Sequence, residues 1–380
     1  RSLFYALEEI SKIKNIQITV ICRIDSWMKK EYKRLGIRCL TEKTIPRFTP
    51  LKKYSRNILQ LLYFIFLYWP KSYSFRKRLL TIAKDVDLVH YNHISLSFLA
   101  YWLKKKSRKT CSSMHVRTLP PNNYFTKFLT KVFINSCNAI IYITENEKRH
   151  VNNLITIKKN ILEKIIFNPV KIQEGKKTYI KELKTDKRLK IGILSNLSYN
   201  RGVDRVIEIY ECIPLKLREK FLFILAGDMK LEKNLPNIPN QFHKFGGSMK
   251  DFVNYKKYSK NFIFLGNVDR PEEVINSFDI LLKPTRLSNP WGRDILEALA
   301  AGKPVISVGT YTKFVETNKT GVLQEKFNAK AIVDWLSKIN KDRSLLKNYK
   351  KNAVKRIKIL CNQKSSADNL LQTWLKIMNK

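Results

Sequence analysis

The chain has 380 residues and 44% of them are hydrophobic, which is enough for two domains with separate cores and argues against a disordered protein. Its 73 basic and 31 acidic residues give a formal charge of +42, which favours an anionic partner: a phosphorylated substrate, an anionic membrane surface or a nucleic acid. A biased composition, rich in Lys, Asn and Ile, is the plainer alternative. Because the basic residues are spread through both halves and form no zinc-finger, basic-zipper or RNA-recognition signature, we expect no nucleic-acid partner.

The cysteine and terminal patterns indicate a reducing compartment. The six cysteines show neither CxxC nor Cys/His spacing, which argues against a disulfide framework and a structural zinc site. The N-terminus lacks the basic-then-apolar pattern of a signal peptide, and the longest apolar run, residues 58–69 (ILQLLYFIFLYW), is too short to span a bilayer. We therefore predict a cytoplasmic protein, either soluble or bound peripherally at the inner face of the plasma membrane.

Residues 1–170 are predicted to form an α/β domain. The chain opens on an amphipathic helix, LFYALEEISKI, with no strand or glycine-rich turn before it, so the first strand of this domain is expected to be missing. Helical stretches such as SLSFLAYWLKK separate four apolar segments typical of strands: IQITVIC, VDLVHYN, KTCSSMH and AIIYITE. The charged, weakly apolar residues 171–188 that follow are predicted to be a linker.

Residues 189–355 alternate strand and helix patterns, which predicts parallel βαβ units in a doubly wound domain. LKIGILS is an apolar strand, and the SYNRG loop leads from it into an amphipathic helix. FLFILAGD, FIFLGNV and DILLKP are further strands, separated by a polar insertion at about 230–260 and by a helix that Pro271 opens. Ligands of such domains bind outside the carboxyl ends of the strands.

Residues 356–380 are predicted to form a C-terminal helix. Its apolar stripe contains Leu370, Trp374 and either Ile377 or Met378. An apolar stripe of this kind must be covered, and we expect it to dock on the first domain.

One loop and helix, residues 288–307 (SNPWGRDILEALAAGKPVIS), have the pattern of a phosphate site. A strand that feeds a loop and a helix leaves the first helical N–H groups unpaired and places a positive dipole end at the crevice. Gly292 would let an anionic ligand approach the backbone; the alternative is a plain connection in which Asp294 favours the helix start. Glu297 follows Arg293 by four residues, so an exposed salt bridge is the alternative for that pair.

Two further observations favour a site over these alternatives. Leu296, Leu299 and Ala300 form the buried face of the helix, which leaves Glu297 near the edge of the crevice. Arg201 in SYNRG follows the first strand of the same domain, and a planar guanidinium donates paired hydrogen bonds to phosphate. Because both loops leave carboxyl ends of strands in one sheet, we expect them to contact one ligand.

These motifs resemble those of the retaining glycosyltransferases of family four, which share the α/β GT-B architecture of two facing doubly wound Rossmann-like domains. The resemblance lies in LKIGILSNLSYNRGVDRVIEIY, LFILAGD, FIFLGNVDRPEEV, FDILLKPTR, NPWGRDILEALAAGKPVIS and TGVL, and more weakly in VDLVHYN, SSMHVR and IFNPV. It implies that the second domain binds a nucleotide-diphosphate sugar and the first an acceptor.

The resemblance also assigns roles to residues, with two departures from the family pattern. Of the family's two glutamates, separated by seven positions, the second is Glu297, which is implied to bind the ribose hydroxyls, and the first is Asn289. Where the family carries Arg and Lys for the diphosphate, this chain has Asn196 and Arg201. An amide at 289 should cost about 1 kcal/mol, less than tenfold in rate. The neutral Asn196 is the more serious change, because the departing diphosphate needs a cation.

The remaining donor-site residues follow from the same comparison. Arg201, Arg293 and the helix N–H groups are expected to compensate for the missing cation, and Arg286 is a further candidate. Trp291 and Gly292 are expected to complete the site. His115, in SSMHVR, is implied to touch the donor sugar; a hydrogen-bonded structural histidine is the alternative.

No metal or other cofactor is expected. The DVD sequence at Asp85 and Asp87 could suggest a metal-binding DxD motif, but it adjoins a predicted strand start. The histidines outside the donor site have no convergent carboxylate or cysteine spacing. The resemblance likewise implies a metal-independent reaction.

The sequence thus predicts a retaining, hexosyltransferase-like enzyme of bacterial surface-polysaccharide biosynthesis, making lipopolysaccharide O-antigen or capsule. Its acceptor would be a glycan or a lipid-linked glycan, and a donor phosphate oxygen would take the proton. A non-catalytic relative that acts as a binding or assembly subunit is the alternative, because two site positions depart from the family. A nucleic-acid binder and a sugar-nucleotide epimerase are less favoured, the latter because it would need more acid and base groups.

Residues 58–69 also suggest where the acceptor lies. Seven basic residues flank this apolar run, a composition typical of a helix at an anionic membrane surface. They are Lys52, Lys53, Arg56, Lys71, Arg76, Lys77 and Arg78. A buried helix with solvated charged ends is the alternative.

Overall fold

The computed structural model describes residues 1–49, 54–107, 109–172, 180, 183, 185–196, 198–228, 230–232, 235–236, 238–239, 247–268, 270–287 and 289–379. The chain divides into two compact units, one formed by Arg1–Pro169 with Gln363–Lys380 and the other by Val170–Asn362. Among the helices of the described residues, none has both the length and the apolar character needed to cross a membrane.

The first unit is built around parallel strands. Its elements in chain order are α1 (Ser2–Ile10), β1 (Thr19–Cys22), α2 (Trp27–Arg34), β2 (Arg38–Thr41), α3 (Tyr54–Tyr63), a π-helical turn (Phe64–Tyr68), α4 (Trp69–Lys71), α5 (Tyr73–Lys84), β3 (Leu88–Tyr91), a 3-10 turn (Ile94–Leu96), α6 (Ser97–Lys106), β4 (Cys111–Val116), α7 (Tyr124–Ile134), β5 (Ala139–Tyr142), α8 (Glu145–Leu154) and β6 (Leu162–Ile165). Strands β3, β4, β5 and β6 form one sheet in that order, and β1 pairs with β2.

All four strands predicted in the first unit form, and two short strands were not predicted. The missed strands are β2 (RCLT) and β6 (LEKI), which lie at the edges of their sheets. Four residues of mixed polarity give no clear period of two, so only pairing with β1 and β5 identifies them as strands.

The C-terminal helix (Gln363–Met378) belongs to the first unit, where it packs on α1. Leu370 and Ile377 are buried, and the indole N–H of Trp374 donates to the Ser113 hydroxyl at 3.0 Å. The helix begins at Gln363 rather than at the predicted residue 356, because residues 356–360 continue a helix of the second unit that buries Ile357.

The apolar run at 58–69 forms the end of α3 and the π-helical turn, and it is not the buried helix of the alternative reading. Phe64 is buried, whereas eight of the large apolar side chains between residues 58 and 68 are exposed. Of the flanking basic residues, Lys52, Lys53 and the Arg56 side chain lie outside the described residues.

The second unit is a doubly wound domain. Its elements are β7 (Leu189–Leu194), a 3-10 turn (Tyr199–Arg201), α9 (Val203–Cys212), α10 (Leu215–Arg218), β8 (Phe221–Ala226), α11 (Met249–Tyr255), a 3-10 turn (Ser259–Asn261), β9 (Phe262–Gly266), α12 (Pro271–Ile275), β10 (Ile280–Lys283), α13 (Arg293–Ala300), β11 (Val305–Val308), β12 (Gly321–Gln324), α14 (Ala329–Lys341) and α15 (Leu345–Leu360). The predicted linker, residues 171–188, lies largely outside the described residues.

The sheet of the second unit has a single reversal of strand order. Its six parallel strands run β12-β11-β10-β7-β8-β9, so the first strand of the unit, β7, lies between the second and the fourth. β8 (FLFILA) is buried along its whole length, as expected for a strand covered by helices on both faces. This is the Rossmann order, in which ligands bind where the order reverses, here between β7 and β10.

Candidate active site

The two predicted loops leave the neighbouring strands β7 and β10 at the reversal of the sheet. Ile280 and Leu281 of β10 are in register with Ile191 and Gly192 of β7. Because the strands are parallel, the loops that follow them, as far as the structure describes them (195–196, 198–202, 284–287 and 289–292), emerge at the same edge. Strand order alone therefore brings the Arg201 loop beside the loop that starts α13.

Direct contacts join these two loops. Gly202 has a φ of +73°, and a Cβ at this position would overlap the carbonyl oxygen of Pro284. The backbone N–H of Arg286 donates to the Asn200 carbonyl at 2.9 Å. The buried Thr285 hydroxyl lies 3.1 Å from that carbonyl and 3.4 Å from Oδ1 of Asn289, so it connects Asn289 to the Arg201 loop.

The Arg286 side chain contacts groups of both the Arg201 loop and α9 and so holds the loops together. These contacts do not support its predicted role as a phosphate ligand. It forms a two-pronged ion pair with the buried Asp204, at 2.8 and 2.7 Å, and also donates to the Tyr199 carbonyl. Its guanidinium stacks over the Tyr199 ring at 4.0 Å. The hydrogen bonds to Asp204 raise the pKa of Arg286. Binding a phosphate instead would leave a buried carboxylate unpaired.

Arg201 is placed differently. Its side chain is half-buried and makes no hydrogen bond or ion pair with any residue that the structure describes. It lies near Lys283, since its positive charge helps to lower the pKa of that lysine. The guanidinium is therefore available to an anionic ligand.

Lys283, the last residue of β10, is a site residue that sequence reasoning missed. Only 4% of it is exposed, and its ammonium group donates to Oδ1 of Asp294 at 2.8 Å. Burial lowers the pKa of Lys283, and Asp294 opposes that effect. A Cβ on Gly292 would overlap both charged groups, so the ion pair lies directly against the backbone that begins α13.

Glu297 and Arg293 form the ion pair of the alternative interpretation, but it is not exposed. The Arg293 Nε–H donates to Oε1 of Glu297 at 2.6 Å, and Glu297 is 5% exposed. Arg293 is thus engaged with Glu297. Trp291 is also buried, with its ring edge-on to Tyr311 at 5.4 Å, so it anchors the loop in the core.

Asn196 lies just beyond β7 and is exposed. Gly227, which follows β8 with a φ of +146°, packs against the carbonyl of Ser195 so closely that a Cβ would overlap it. The position where the family carries an arginine is therefore at the same sheet edge as Arg201, without a charge.

His115 of the first unit lies inside β4 in a buried chain of hydrogen bonds. This arrangement is the one expected if His115 is a hydrogen-bonded structural histidine. Its Nδ1 is 2.9 Å from Nε2 of His90, whose Nδ1 is 2.8 Å from the Ser113 hydroxyl. Burial and the charge of Arg117 lower the pKa of His90 to about 3 and that of His115 well below its usual value. A role for His115 toward a donor sugar stays a prediction, and the imidazole would act there as a neutral group.

Family models match both units. The model "Glycosyltransferase Family 4" matches residues 7–171, and "Glycosyl transferases group 1" matches residues 176–356. The chain belongs to glycosyltransferase family 4. The fold of this family member resembles Anabaena Alr3699/HepE in complex with UDP-glucose, with a TM-score of 0.72, 16% identity and coverage of 99% of this chain and 95% of that one. The prediction of a two-domain GT-B fold is confirmed.

Two curated relatives are similar in sequence to this family member. The gpi3 subunit of phosphatidylinositol N-acetylglucosaminyltransferase from Schizosaccharomyces pombe is 25% identical over 290 residues, which are 72% of this chain and 56% of that protein. An uncharacterized 42.6 kDa protein in the cps region of Klebsiella pneumoniae is 24% identical over 314 residues, 77% of this chain and 76% of that one. The chain thus spans little more than half the length of the yeast subunit.

Replacing Gly202 by Ala should destabilise the second unit more than the same change at Gly36 destabilises the first. Both glycines have positive φ, at +73° and +72°, so both changes carry the backbone cost of about 1–2 kcal/mol. No heavy atom lies within 4 Å of a Cβ at residue 36, so only Gly202→Ala adds an overlap with Pro284. Denaturant unfolding of the two variants measures the difference. Equal losses would show that the two loops do not depend on this contact.

The His90–His115 pair should make stability depend on pH in the acid range. Unfolded histidines bind a proton below about pH 6.5, whereas folded His90 resists protonation down to a pKa of about 3. The free energy of unfolding therefore decreases as pH falls below 6.5, by about 1.4 kcal/mol per unit for one histidine. His90→Gln removes this contribution. Between pH 7.5 and 5.5 the free energy of unfolding of the variant, measured by thermal unfolding, should therefore decrease by about 1 kcal/mol less than that of the unsubstituted protein. Identical pH profiles would contradict a neutral buried pair.

Proposed function

We propose that this protein is a retaining, metal-independent glycosyltransferase that uses a nucleotide-diphosphate sugar, with uridine diphosphate as its nucleotide. The observation that carries the proposal is the junction of Arg201, Lys283 and the N-terminus of α13 at the reversal of the sheet. Two cations and the positive dipole end of a helix there suit a diphosphate. The structural resemblance to a protein in complex with UDP-glucose supports this donor class.

Each loop residue has a role in this proposal. Arg201 binds the diphosphate directly, and the N-terminus of α13 adds the positive end of its helix dipole. The buried carboxylate of Glu297 accepts hydrogen bonds from the ribose hydroxyls, and the Asn289 amide contacts the donor sugar. Lys283 contributes positive charge from beneath Gly292.

The reaction then depends on positioning and on electrostatic stabilisation of the leaving group. The acceptor hydroxyl attacks the anomeric carbon from the face that the diphosphate leaves, and a donor phosphate oxygen takes the hydroxyl proton. Negative charge that develops on the departing diphosphate is stabilised by Arg201 and by the helix N-terminus. Arg201 and the helix N-terminus supply the positive charge that a divalent metal would otherwise supply. Among the described residues no three His, Cys, Asp or Glu side chains lie close enough together to hold a metal ion.

The acceptor in this proposal is a glycan or a lipid-linked glycan of a bacterial surface polysaccharide, such as an O-antigen or capsule, at the cytoplasmic face of the membrane. The match to a protein of a cps region supports the polysaccharide class. The name of the yeast relative states a phosphatidylinositol acceptor, which supports a lipid-linked substrate.

A non-catalytic binding or assembly subunit is the second candidate. The neutral Asn196 and Asn289 favour it, because the site carries fewer charged groups than the family pattern. The yeast relative is itself named as a subunit. In this candidate the nucleotide sugar binds without reacting.

Arg201→Ala should weaken UDP binding by about 10- to 150-fold, since a hydrogen bond to a charged group is worth about 1.5–3 kcal/mol. Titration calorimetry with UDP, GDP and ADP measures this and identifies the base. Arg343→Ala is the matched control, because Arg343 donates to the Lys187 carbonyl, just before β7 and so at the opposite edge of the sheet. If no nucleotide binds the unsubstituted protein, the proposed function is wrong.

The same preparation separates the enzyme from the subunit. Incubation with a UDP-sugar and extracted membrane lipids should yield a glycosylated product in the presence of a chelator, with the anomeric configuration of the donor kept. UDP binding without transfer to any lipid or glycan acceptor would instead favour the subunit.

Substitutions in the Lys283–Asp294 pair should change UDP affinity in opposite directions. Lys283→Met removes a cation and should weaken binding about tenfold or more. Asp294→Asn removes the anion that competes with the diphosphate for Lys283, so it should tighten binding about fivefold; both estimates correspond to about 1–1.5 kcal/mol. Calorimetry on both variants, with thermal unfolding as a check of folding, tests this. Weaker UDP binding by a folded Asp294→Asn protein would show that the pair only supports the loop.

A further inference from the structure

The segment formed by the end of α3 and the π-helical turn leaves an unusually apolar surface in contact with solvent. Phe64 packs into the core, but neighbouring aliphatic and aromatic side chains point outward, with Leu59 68% and Phe66 70% exposed. The exposed members between residues 58 and 68 are Ile58, Leu59, Leu62, Tyr63, Ile65, Phe66, Leu67 and Tyr68. A contiguous apolar surface of this kind marks a binding face in a folded protein.

Helix α7 presents a second exposed face, in which aromatic and basic residues alternate. Tyr124 and Phe128, one turn apart, are 88% and 64% exposed, and the exposed Lys127 and Lys131 lie beside them. These four side chains and residues 152–156 line a groove of about 460 Å³, and no acidic residue lines it. The groove is large enough for a lipid headgroup.

The two faces belong to helical segments of the first unit that contribute to one core cluster. The buried sides of the α3 segment and α7 meet in one aromatic cluster, in which Phe64 packs with Leu129, Phe48 and Phe125. Leu61 and Trp69 pack against the same cluster. The shared cluster therefore links the two segments within the first unit.

The charge of this part of the chain identifies the kind of partner. Residues 43–144 contain 18 Lys and Arg but only two acidic residues, Asp85 and Asp87. A second copy of so basic a surface would be repelled, and a nucleic acid offers nothing for Leu59 or Phe66 to enter. An anionic lipid bilayer accepts both the apolar side chains and the lysines.

We propose that the exposed faces of the α3 segment and α7 form one docking surface for an anionic lipid bilayer. Leu59, Leu62 and Phe66 enter the boundary between headgroups and acyl chains, and Tyr124 and Phe128 lie at headgroup depth. Lys127 and Lys131 bind headgroup phosphates in the α7 groove. The docking surface would hold the protein at the membrane that contains the lipid-linked acceptor, so its purpose rests on the proposed function. The surface itself is independent of the donor site.

Vesicle flotation with the full chain tests the surface. The protein should float with vesicles of phosphatidylcholine and phosphatidylserine at low salt, and much less with pure phosphatidylcholine or at high salt. Each lysine near an anionic surface strengthens binding about fivefold, so Lys127→Glu with Lys131→Glu should weaken it at least 25-fold. The matched control is Lys347→Glu with Lys351→Glu, an equal charge change at two exposed lysines four residues apart on α15 of the other unit.

A second variant tests the apolar face. Leu59→Ser with Phe66→Ser changes exposed side chains, so folding should be kept, and flotation should fall at least tenfold. Equal flotation with neutral and anionic vesicles, or an equal loss in the α15 control, would overturn the proposal. The proposal would also be overturned if gel filtration showed a dimer that the Leu59→Ser/Phe66→Ser variant dissociates while the flotation of that variant stays unchanged.

UDP affinity is measured on every variant to separate the two proposals. The docking variants should keep the UDP affinity of the unsubstituted protein. Normal flotation without UDP binding would contradict the proposed function alone, and normal UDP binding without flotation would contradict the docking surface alone.

Discussion

The packing of the Gly202 backbone against the Pro284 carbonyl holds two loops of the second unit in contact, and the candidate site depends on this contact. It is possible because β7 and β10 are neighbours in a parallel sheet whose strand order reverses between them. Glycine at 202 permits both the positive φ and the close approach. Thr285, Asn200 and Arg286 then add hydrogen bonds across the same junction. Arg201 and the start of α13 are thereby presented together.

In the proposed function, the distribution of charge at this junction lets the site depart from its family pattern and still bind a diphosphate. Two of the positions are neutral, at Asn196 and Asn289, but Lys283 supplies a cation from the sheet itself. Its burial is tolerated because Asp294 pairs with it. The arginines near the junction divide between two tasks. Arg286 and Arg293 pair with buried carboxylates and fix the loops, whereas Arg201 is left for a ligand.

Much of the fold and the placement of the loops could be predicted from the sequence, because alternating strand and helix patterns dictate a parallel sheet with its loops at one edge. The pairing of particular side chains could not. Nothing in the segment DILLKP distinguishes a lysine that turns inward to Asp294 from one that reaches solvent. Arg286 precedes the motif in sequence, and only the fold brings it to Asp204 on α9. The exposure of residues 58–68 was equally undetermined, because an apolar run has the same sequence whether it is buried or faces a membrane.

The central claim, that one ligand bridges the two strand-end loops, is tested most directly by a crystal structure of the protein with UDP. We predict that the diphosphate lies within hydrogen-bonding distance of the Arg201 guanidinium and the first N–H groups of α13, with the ribose hydroxyls on the Glu297 carboxylate. UDP bound elsewhere, or bound with Arg201 and Glu297 touching no common ligand, would contradict the account.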